Sequence, residues 1–208
     1  MKVAIITDDA LKEEWISQCM PDALLAEWLS EPIAVEGADC YIDLLFQPDA
    51  ERINNLQKLQ PAIIIVNSVI ATLNMLPENF IRINGWPGFL KRTVVESSCS
   101  NDDLKTRAEE IISFFNKTIE WVPDVPGFIT ARVISMIINE AYFTLDEKVS
   151  SKKEIDIAMK LGTNYPYGPF EWSEKIGLKK VYELLSMLSK SNSRYEPAAL
   201  LRKEALHS

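Results

Sequence analysis

The sequence has few of the residues that build metal centres and disulfides. Among 208 residues there are one histidine and three cysteines. The histidine, His207, is next to the carboxyl end, and Cys19, Cys40 and Cys99 have no paired or metal-like spacing. An odd number of unpatterned cysteines is typical of proteins from reducing compartments. We therefore expect a cytoplasmic protein with neither structural disulfides nor a metal site.

Blocks of positive charge and long apolar runs are missing as well. The formal net charge is −8, and lysine and arginine form no cluster, which argues against a nucleic-acid partner. No apolar run approaches the length of a membrane span, and none of the first residues predicts a signal peptide. The apolar residues that are present suffice for the core of one large domain or two small ones.

The first turn of the chain lacks glycine. Residues 2–7 form a short apolar run rich in β-branched residues, which predicts a buried strand, and a helix capped by Asp8 or Asp9 follows. Dinucleotide-binding folds have a glycine-rich turn here, because glycine lets the pyrophosphate approach the backbone. In this chain the turn has no glycine, and two aspartates would repel phosphate. We therefore predict that no cofactor, and in particular no NAD, binds at this turn.

The following segments predict an α/β domain over residues 1–122. Residues 21–37 are ambiguous, since they fit either two strands or a short helix. Beyond them the patterns predict strands at 38–46, 61–66, 80–83, 92–96 and 118–122, and helices at 49–58 and 101–117. Alternating strands and helices favour a mainly parallel sheet. Because the domain is too short for two complete mononucleotide-binding halves, we expect a reduced Rossmann-like sheet.

A helical domain is predicted over residues 123–208. Pro126 and Gly127 indicate the start of a long helix, and residues 128–145 are apolar on nearly every face, as in a helix buried on most sides. A second helix is predicted over 152–161, with Gly162 as its stop signal. A rigid corner rich in proline and glycine, residues 165–169, then connects to a further helix.

The motifs of this second part resemble the carboxy-terminal helical domain of the 3-hydroxyacyl-CoA dehydrogenase family. The resemblance covers roughly residues 120–190 and rests on Pro126-Gly127-Phe128-Ile129, Asn139-Glu140-Ala141, Ile155-Asp156 and Gly168-Pro169-Phe170. It implies a Rossmann-like domain followed by a helical domain. It also implies NAD-linked oxidation of a 3-hydroxyacyl-CoA, such as 3-hydroxybutyryl-CoA in fatty acid metabolism, and a dimer joined through the helical domain.

The residues that carry the family's chemistry are replaced in this chain. In the family a histidine in a Gly-Met-His-Phe-Phe-Asn-Pro stretch is the general base, and a later glutamate orients it. Glu96 matches that glutamate. Counting back from it puts Asn84 at the histidine position, whereas aligning the glycines puts Pro87 there, and neither residue accepts a proton at neutral pH. Val69 stands where the family has a substrate-contacting serine, and Ala131 where it has an asparagine.

These replacements predict a family member that is weak or inactive in NAD-linked oxidation. Glu96 is the one catalytic candidate, and it fits a strand-end carboxylate in an ion pair equally well. The alternative is a non-catalytic, dimeric binding or scaffold protein that keeps a pocket for an acyl-CoA-type ligand. A homodimer is expected because the helix over residues 128–145 has more apolar surface than one side of a small domain covers, with an interface of roughly 1,600 Å² or more.

Polar residues near and within the long helix also lead to predictions. Asn139 and Glu140 lie in a mostly apolar helix, where polar groups need partners. We expect them to make hydrogen bonds that join domains, and we expect Arg132 to pair with Glu140 or Asp124.

Overall fold

The structure is a computed structural model, and it describes residues 1–18 and 25–207. The chain divides into two compact units, Met1–Phe128 and Ile129–Ser208. The predicted boundary after residue 122 falls in the segment between the last strand of the first unit and the first helix of the second.

The first unit is a seven-stranded sheet with helices. Its strands are β1 (Lys2–Ile6), β2 (Leu25–Leu29), β3 (Cys40–Asp43), β4 (Ile63–Asn67), β5 (Phe80–Ile83), β6 (Val94–Cys99) and β7 (Thr118–Trp121). Its helices are α1 (Asp9–Trp15), α2 (Ala50–Gln57) and α3 (Asp103–Ser113).

The strand order is β2-β1-β3-β4-β5-β6-β7, and every neighbouring pair is parallel except β5 and β6. In the usual doubly wound order, a third strand pairs with the outer side of the second strand. In this structure β2 is itself the edge strand. Of the ambiguous residues 21–37, 25–29 form β2, residues 32–35 are not in a strand, and 21–24 lie outside the described residues. The predicted reduced, mainly parallel Rossmann-like sheet is confirmed.

The central strands β1 and β4 are covered on both faces, which explains their unbroken apolar runs. Val3 and Ile5 pack in one cluster of buried side chains, and their neighbours Ala4 and Ile6 pack in another. Successive side chains of a strand point to opposite faces. A strand that is buried on both faces therefore needs apolar residues at consecutive positions.

The second unit is helical. It comprises α4 (Thr130–Asp146), α5 (Lys152–Thr163), α6 (Pro169–Ile176), α7 (Leu178–Ser189) and α8 (Ala199–Ala205). None of the helices in residues 1–18 and 25–207 is long and apolar enough to cross a membrane.

Two predicted helix boundaries of this unit are wrong. Helix α4 begins at Thr130, because Gly127 (φ 84°) and Phe128 (φ 48°) have positive φ angles that a right-handed helix does not contain. Gly162 does not end α5, which continues to Thr163. The chain leaves the helix at Asn164, whose φ of 54° gives the left-handed conformation. Asparagine tolerates that conformation, so it takes the role predicted for glycine.

Candidate functional site

The candidate site of the first unit is the sheet edge formed by the carboxyl ends of its parallel strands. In doubly wound folds ligands bind at this edge, where the strand order reverses direction. Here the reversal lies between β1 and β3, since the chain passes from β1 to β2 on one side and then to β3 on the other.

Asp8 closes the turn after β1. It is the N-cap of α1, and its Oδ1 accepts the backbone N–H of Leu11 at 2.8 Å. The prediction of an aspartate cap is therefore confirmed. In a dinucleotide-binding fold, amides at this helix end bind the pyrophosphate. In this chain one of them is already bonded to a carboxylate, and the carboxylate brings negative charge to the place where phosphate would lie.

At the end of β3, Asp43 is fully buried and bonded from two directions. The Arg52 guanidinium donates to both of its oxygens, at 2.7 and 2.8 Å, and the N–H of Leu45 donates at 3.0 Å. Burial raises the pKa of Asp43, and the hydrogen bonds from Arg52 offset part of that effect. The same bonds raise the pKa of Arg52. This ion pair fastens α2 to the central strands.

Asn67 joins the ends of three strands. Its Nδ2 donates to the carbonyl oxygens of Leu44 and Gly85, both at 3.0 Å, and its Oδ1 accepts the N–H of Gly85 at 3.0 Å. A Cβ added at Gly85 would lie 2.7 Å from Asn67 Cγ. Glycine is therefore required at position 85 for this amide to lie across the edge of the sheet.

Asn84 and Glu96 are in direct contact at the end of β5. Asn84 Nδ2 donates to Glu96 Oε2 at 3.0 Å, and the Asn84 N–H donates to the Glu96 carbonyl oxygen at 3.0 Å. The antiparallel pairing of β5 and β6 creates the contact, because it places the first half of β6 beside the end of β5. At this place a carboxamide, that of Asn84, therefore lies against the Glu96 carboxylate.

The other replaced positions are apolar and buried. Val69 is 4% exposed, and its carbonyl oxygen accepts Arg82 Nη2 at 3.0 Å and the Gly127 N–H at 2.8 Å. Ala131 belongs to the second unit and is fully buried in α4. Neither side chain can donate or accept a hydrogen bond. The structure thus brings Asn84 and Glu96 together and gives Val69 a packing role.

Arg82 is the main polar residue that the sequence interpretation missed. It is fully buried in β5, where its guanidinium donates to the Ser68 carbonyl oxygen at 2.9 Å and is paired with Asp124. Burial lowers the pKa of Arg82, and Asp124 opposes that shift. The signal is present in the sequence, because residues 80–83 predict a strand in which Arg82 is the one charged residue among apolar neighbours, and a buried charge needs a partner.

The motifs of the second unit form a helix cap. Asp156 Oδ1 accepts the N–H of Phe170 at 2.8 Å, and Glu171 Oε2 accepts the N–H of Gly168 at 3.0 Å. A Cβ added at Gly168 would overlap the Asp156 side chain. The Ile-Asp and Gly-Pro-Phe motifs are therefore in contact with each other. Together they cap the start of α6 and join it to α5.

The polar residues of α4 bond within the second unit. Asn139 Nδ2 donates to the Glu196 carbonyl oxygen at 2.9 Å, and its Oδ1 accepts the Ala198 N–H at 2.8 Å. These bonds join α4 to the segment before α8. The Arg132 guanidinium lies 5.6 Å from the centre of the Tyr195 ring, and its pairing with Glu140 or Asp124 stays a prediction.

Fold and motifs define the class of protein: a Rossmann-like α/β unit with one antiparallel strand pair, followed by a helical unit. Residues 127–207 match the family model described as 3-hydroxyacyl-CoA dehydrogenase, C-terminal domain. Residues 127–207 therefore belong to the family of 3-hydroxyacyl-CoA dehydrogenase carboxy-terminal domains.

Curated relatives and solved structures agree with this assignment. The chain is 37% identical over 116 residues to 3-hydroxyadipyl-CoA dehydrogenase of Escherichia coli strain K12, covering 55% of this chain and 24% of that protein. It is 33% identical over 132 residues to 3-hydroxybutyryl-CoA dehydrogenase of Bradyrhizobium diazoefficiens, covering 61% and 45%. The matches thus span less than half the length of these relatives.

A solved structure supports the fold along nearly the whole chain. The crystal structure of (S)-3-hydroxybutyryl-CoA dehydrogenase from Ralstonia eutropha superimposes with a TM-score of 0.74 over 97% of this chain and 92% of that chain. The sequence identity is 20%, so this likeness concerns the fold alone.

Proposed function

We propose that this protein is a 3-hydroxyacyl-CoA dehydrogenase relative that binds an acyl-CoA-type ligand and has little or no NAD-linked oxidation activity. The contact between Asn84 and Glu96 carries the proposal. In the family resemblance this position belongs to the general base, and here it holds a carboxamide that does not titrate near neutral pH. Loss of a general base costs about 10²–10⁴-fold in rate.

The first turn supports the cofactor half of the proposal. The Asp8 carboxylate accepts an N–H at the start of α1, and Asp9 adds a second negative charge in an exposed position. A dinucleotide pyrophosphate would have to displace the first carboxylate and tolerate both charges. The NAD site of the resembling family is therefore not expected to function at this turn.

The names of the relatives support the ligand class. The two curated relatives are dehydrogenases of 3-hydroxyadipyl-CoA and 3-hydroxybutyryl-CoA, which are both acyl-CoA thioesters. The matched domain is also the one whose motif residues, Asp156 and Gly168, make the contacts that cap α6. Binding of a related thioester is thus the property expected to survive.

A weak enzyme is the second candidate, because Glu96 is present and half-buried beside Asn84. Its carboxylate would then act as the base by itself. The two candidates differ in whether neutralising Glu96 removes an activity.

The test uses the full chain with 3-hydroxybutyryl-CoA and NAD, added separately and together. We expect the thioester to raise the melting temperature, because a ligand of the folded state stabilises it. We expect no shift with NAD and no NADH production. The matched variants are Glu96→Gln and Glu120→Gln, since Glu120 is the carboxylate opposite Glu96 on the neighbouring strand β7.

NADH production that Glu96→Gln removes and Glu120→Gln preserves would establish the second candidate. Micromolar affinity for NAD would overturn the cofactor half, and the absence of any shift with 3-hydroxybutyryl-CoA would overturn the ligand half.

A further inference from the structure

Strand β2 is an edge strand, and no strand in the part of the chain that the structure describes pairs with its outer side. The Leu29 carbonyl oxygen accepts the N–H of Thr7 at 2.9 Å, so the backbone groups of Leu29 point toward β1. Backbone groups of successive residues in a strand point to opposite sides. The N–H and C=O groups of Ala26 and Trp28 therefore point away from β1, where a further strand can bond to all four of them.

The sequence of β2 does little to prevent such pairing. Residues 25–29 contain neither proline nor lysine, the residues with which natural proteins commonly block an edge strand. The one charged residue, Glu27, is paired with Lys2 of β1 at 3.0 Å. Leu25 is 67% exposed, and Trp28 is half-buried. The edge thus presents apolar side chains together with backbone groups that point outward.

The five residues of β2 are complementary to an antiparallel copy of themselves. If a two-fold axis passes through Glu27, Ala26 lies opposite Trp28 of the other copy, and Leu25 lies opposite Leu29. Ala26 and Trp28 are then hydrogen-bonded pairs, so four backbone hydrogen bonds use every outward group of both strands. On one face a large ring lies beside a methyl group, and on the other face two leucines meet. This match in size and in backbone groups identifies a second copy of the chain as the occupant.

We propose that β2 pairs antiparallel with β2 of a second copy of this chain, two-fold symmetric about Glu27, so that the two sheets become one. The contact uses the same edge of both copies and is therefore closed. It lies in the sheet unit and is independent of the dimer expected through the helical domain. The two Glu27 carboxylates face each other at the axis, and like charges in directly opposite positions repel. Each carboxylate keeps Lys2 as its neighbour, which reduces this repulsion. Neutralising Glu27 should therefore strengthen the contact.

The first experiment measures self-association of the full chain by sedimentation equilibrium over a concentration series. A five-residue edge makes a small interface, so we expect a dissociation constant in the micromolar to millimolar range. Leu25→Glu is expected to weaken association at least about tenfold, which corresponds to 1.4 kcal/mol or more, because its carboxylate would lie opposite Leu29 of the other copy. Met75→Glu is the matched control, since Met75 is 56% exposed in the same unit and outside β2. It is expected to associate like the wild type.

The second experiment tests the effect of the charge at the axis. Glu27→Gln is expected to strengthen association by up to about fivefold, because it removes the repulsion between the two carboxylates. The matched variant is Glu120→Gln on β7, the edge strand at the other end of the sheet. It is expected to leave association unchanged. Association of Glu27→Gln no stronger than that of the wild type would overturn the proposal, and so would a gain in Glu120→Gln alone, which would place the contact at β7.

A cross-linking experiment tests the register. Opposite residues of a non-hydrogen-bonded antiparallel pair have Cα atoms about 4.5 Å apart, which is within the span of a disulfide. Under mild oxidation we therefore expect Glu27→Cys to form a disulfide-linked dimer faster than the wild-type chain. Leu25→Cys is the control on the same strand and the same face. Its two copies would lie four residues apart along the strands, about 13 Å, so it is expected to cross-link no faster than the wild type.

Several further outcomes would overturn the proposal. A monomeric wild-type chain would do so, as would equal association of Leu25→Glu and Met75→Glu. Cross-linking of Leu25→Cys as fast as Glu27→Cys would refute the register. A monomer that binds a synthetic peptide of alternating threonine and valine, and that loses this binding in Leu25→Glu, would assign the edge to an extended segment of another protein instead. None of these outcomes depends on the proposed function, since no thioester or cofactor is added.

Discussion

The two units of this protein use the residues of their motifs differently. In the helical unit, Asp156 and Gly168 belong to the motifs shared with the family, and together with Glu171 they form the cap of α6. In the sheet unit, the positions that the resemblance assigns to the family's chemistry hold Asn84 and Val69, which bond or pack within the unit. A motif required for folding therefore identifies a domain family, whereas the chemistry has to be argued from the site itself.

The units also differ in the polar groups that they bury. The sheet unit buries charges, among them Arg82 and Lys117, whose Nζ donates to two backbone carbonyl oxygens at 2.6 and 2.8 Å. The helical unit buries mainly neutral groups, the amide of Asn139 and the phenol of Tyr142, which donates to Glu204 at 2.7 Å, together with the Asp156 carboxylate. Buried charges are costly when they lose a partner. We therefore expect the sheet unit to be the more sensitive to loss of a single polar group.

The largest effect is expected from Arg82→Met. The substitution leaves Asp124 without its ion-pair partner and removes the donor to the Ser68 carbonyl oxygen. Because Asp124 is exposed, the loss comes mainly from the carbonyl oxygens of Ser68 and Val69, and each buried acceptor that loses its donor costs about 1–3 kcal/mol of unfolding free energy. Guanidinium denaturation measures the loss, and hydrogen exchange by mass spectrometry assigns it to residues 63–128.

Arg107→Met is the control for that variant, because Arg107 is exposed on α3. An exposed substitution of this kind is expected to change stability by no more than about 0.5 kcal/mol. Equal losses in the two variants would show that burial of Arg82 has no special energetic importance.

A smaller effect, confined to the helical unit, is expected from Gly168→Ala. The new methyl group overlaps the Asp156 side chain, which must move and release the N–H of Phe170. Overpacking of this kind costs about 1–3 kcal/mol. The matched variant is Gly162→Ala within α5, where an added Cβ meets nothing within 4 Å. Because alanine is the better helix former, that variant is expected to gain about 0.5–1 kcal/mol. Denaturation curves with the same sign of change in both variants would contradict the cap.

The smallest effect is a difference in pH dependence between the units. Burial lowers the pKa of Lys117 to about 8. Between that value and the ordinary lysine pKa of about 10.4, the unfolded chain binds more protons, so stability rises with pH by on the order of 1 kcal/mol per unit. Burial raises the pKa of Tyr142. The unfolded chain therefore loses this proton first above about pH 10, and the contribution of Tyr142 falls.

Urea denaturation from pH 7.5 to 10.5 tests this difference. Relative to Lys117→Met, the wild-type chain is expected to become more stable as pH rises. Relative to Tyr142→Phe, it is expected to become less stable at the alkaline end. Parallel curves for the wild type and both variants would mean that neither group changes its pKa on folding.

Local sequence alone determined much of this protein. The apolar, β-branched runs predicted buried strands, since a strand that is covered on both faces needs consecutive apolar residues. Asp8 predicted the start of α1, because its carboxylate accepts the N–H of Leu11 and so caps the helix. The glycine-free first turn and the absence of histidine outside His207 are likewise properties of the sequence. They are the basis of the prediction that the family's chemistry is impaired, which the measurement of NADH production tests.

Tertiary structure decided the rest, because those features depend on residues that are far apart in the chain. Whether Asn84 or Pro87 faces Glu96 depends on the antiparallel register of β5 and β6. The partner of Arg82 is Asp124, 42 residues away, and Asn67 bonds to Leu44 and Gly85 across two strand pairings. Gly162 is a good stop signal, yet α5 continues past it, since the turn at Asn164 supplies the left-handed residue instead. Periodicity and propensity depend on the neighbours of a residue along the chain. The position of a buried charge or amide depends on the hydrogen-bond partners that it needs, and these are distant in the sequence.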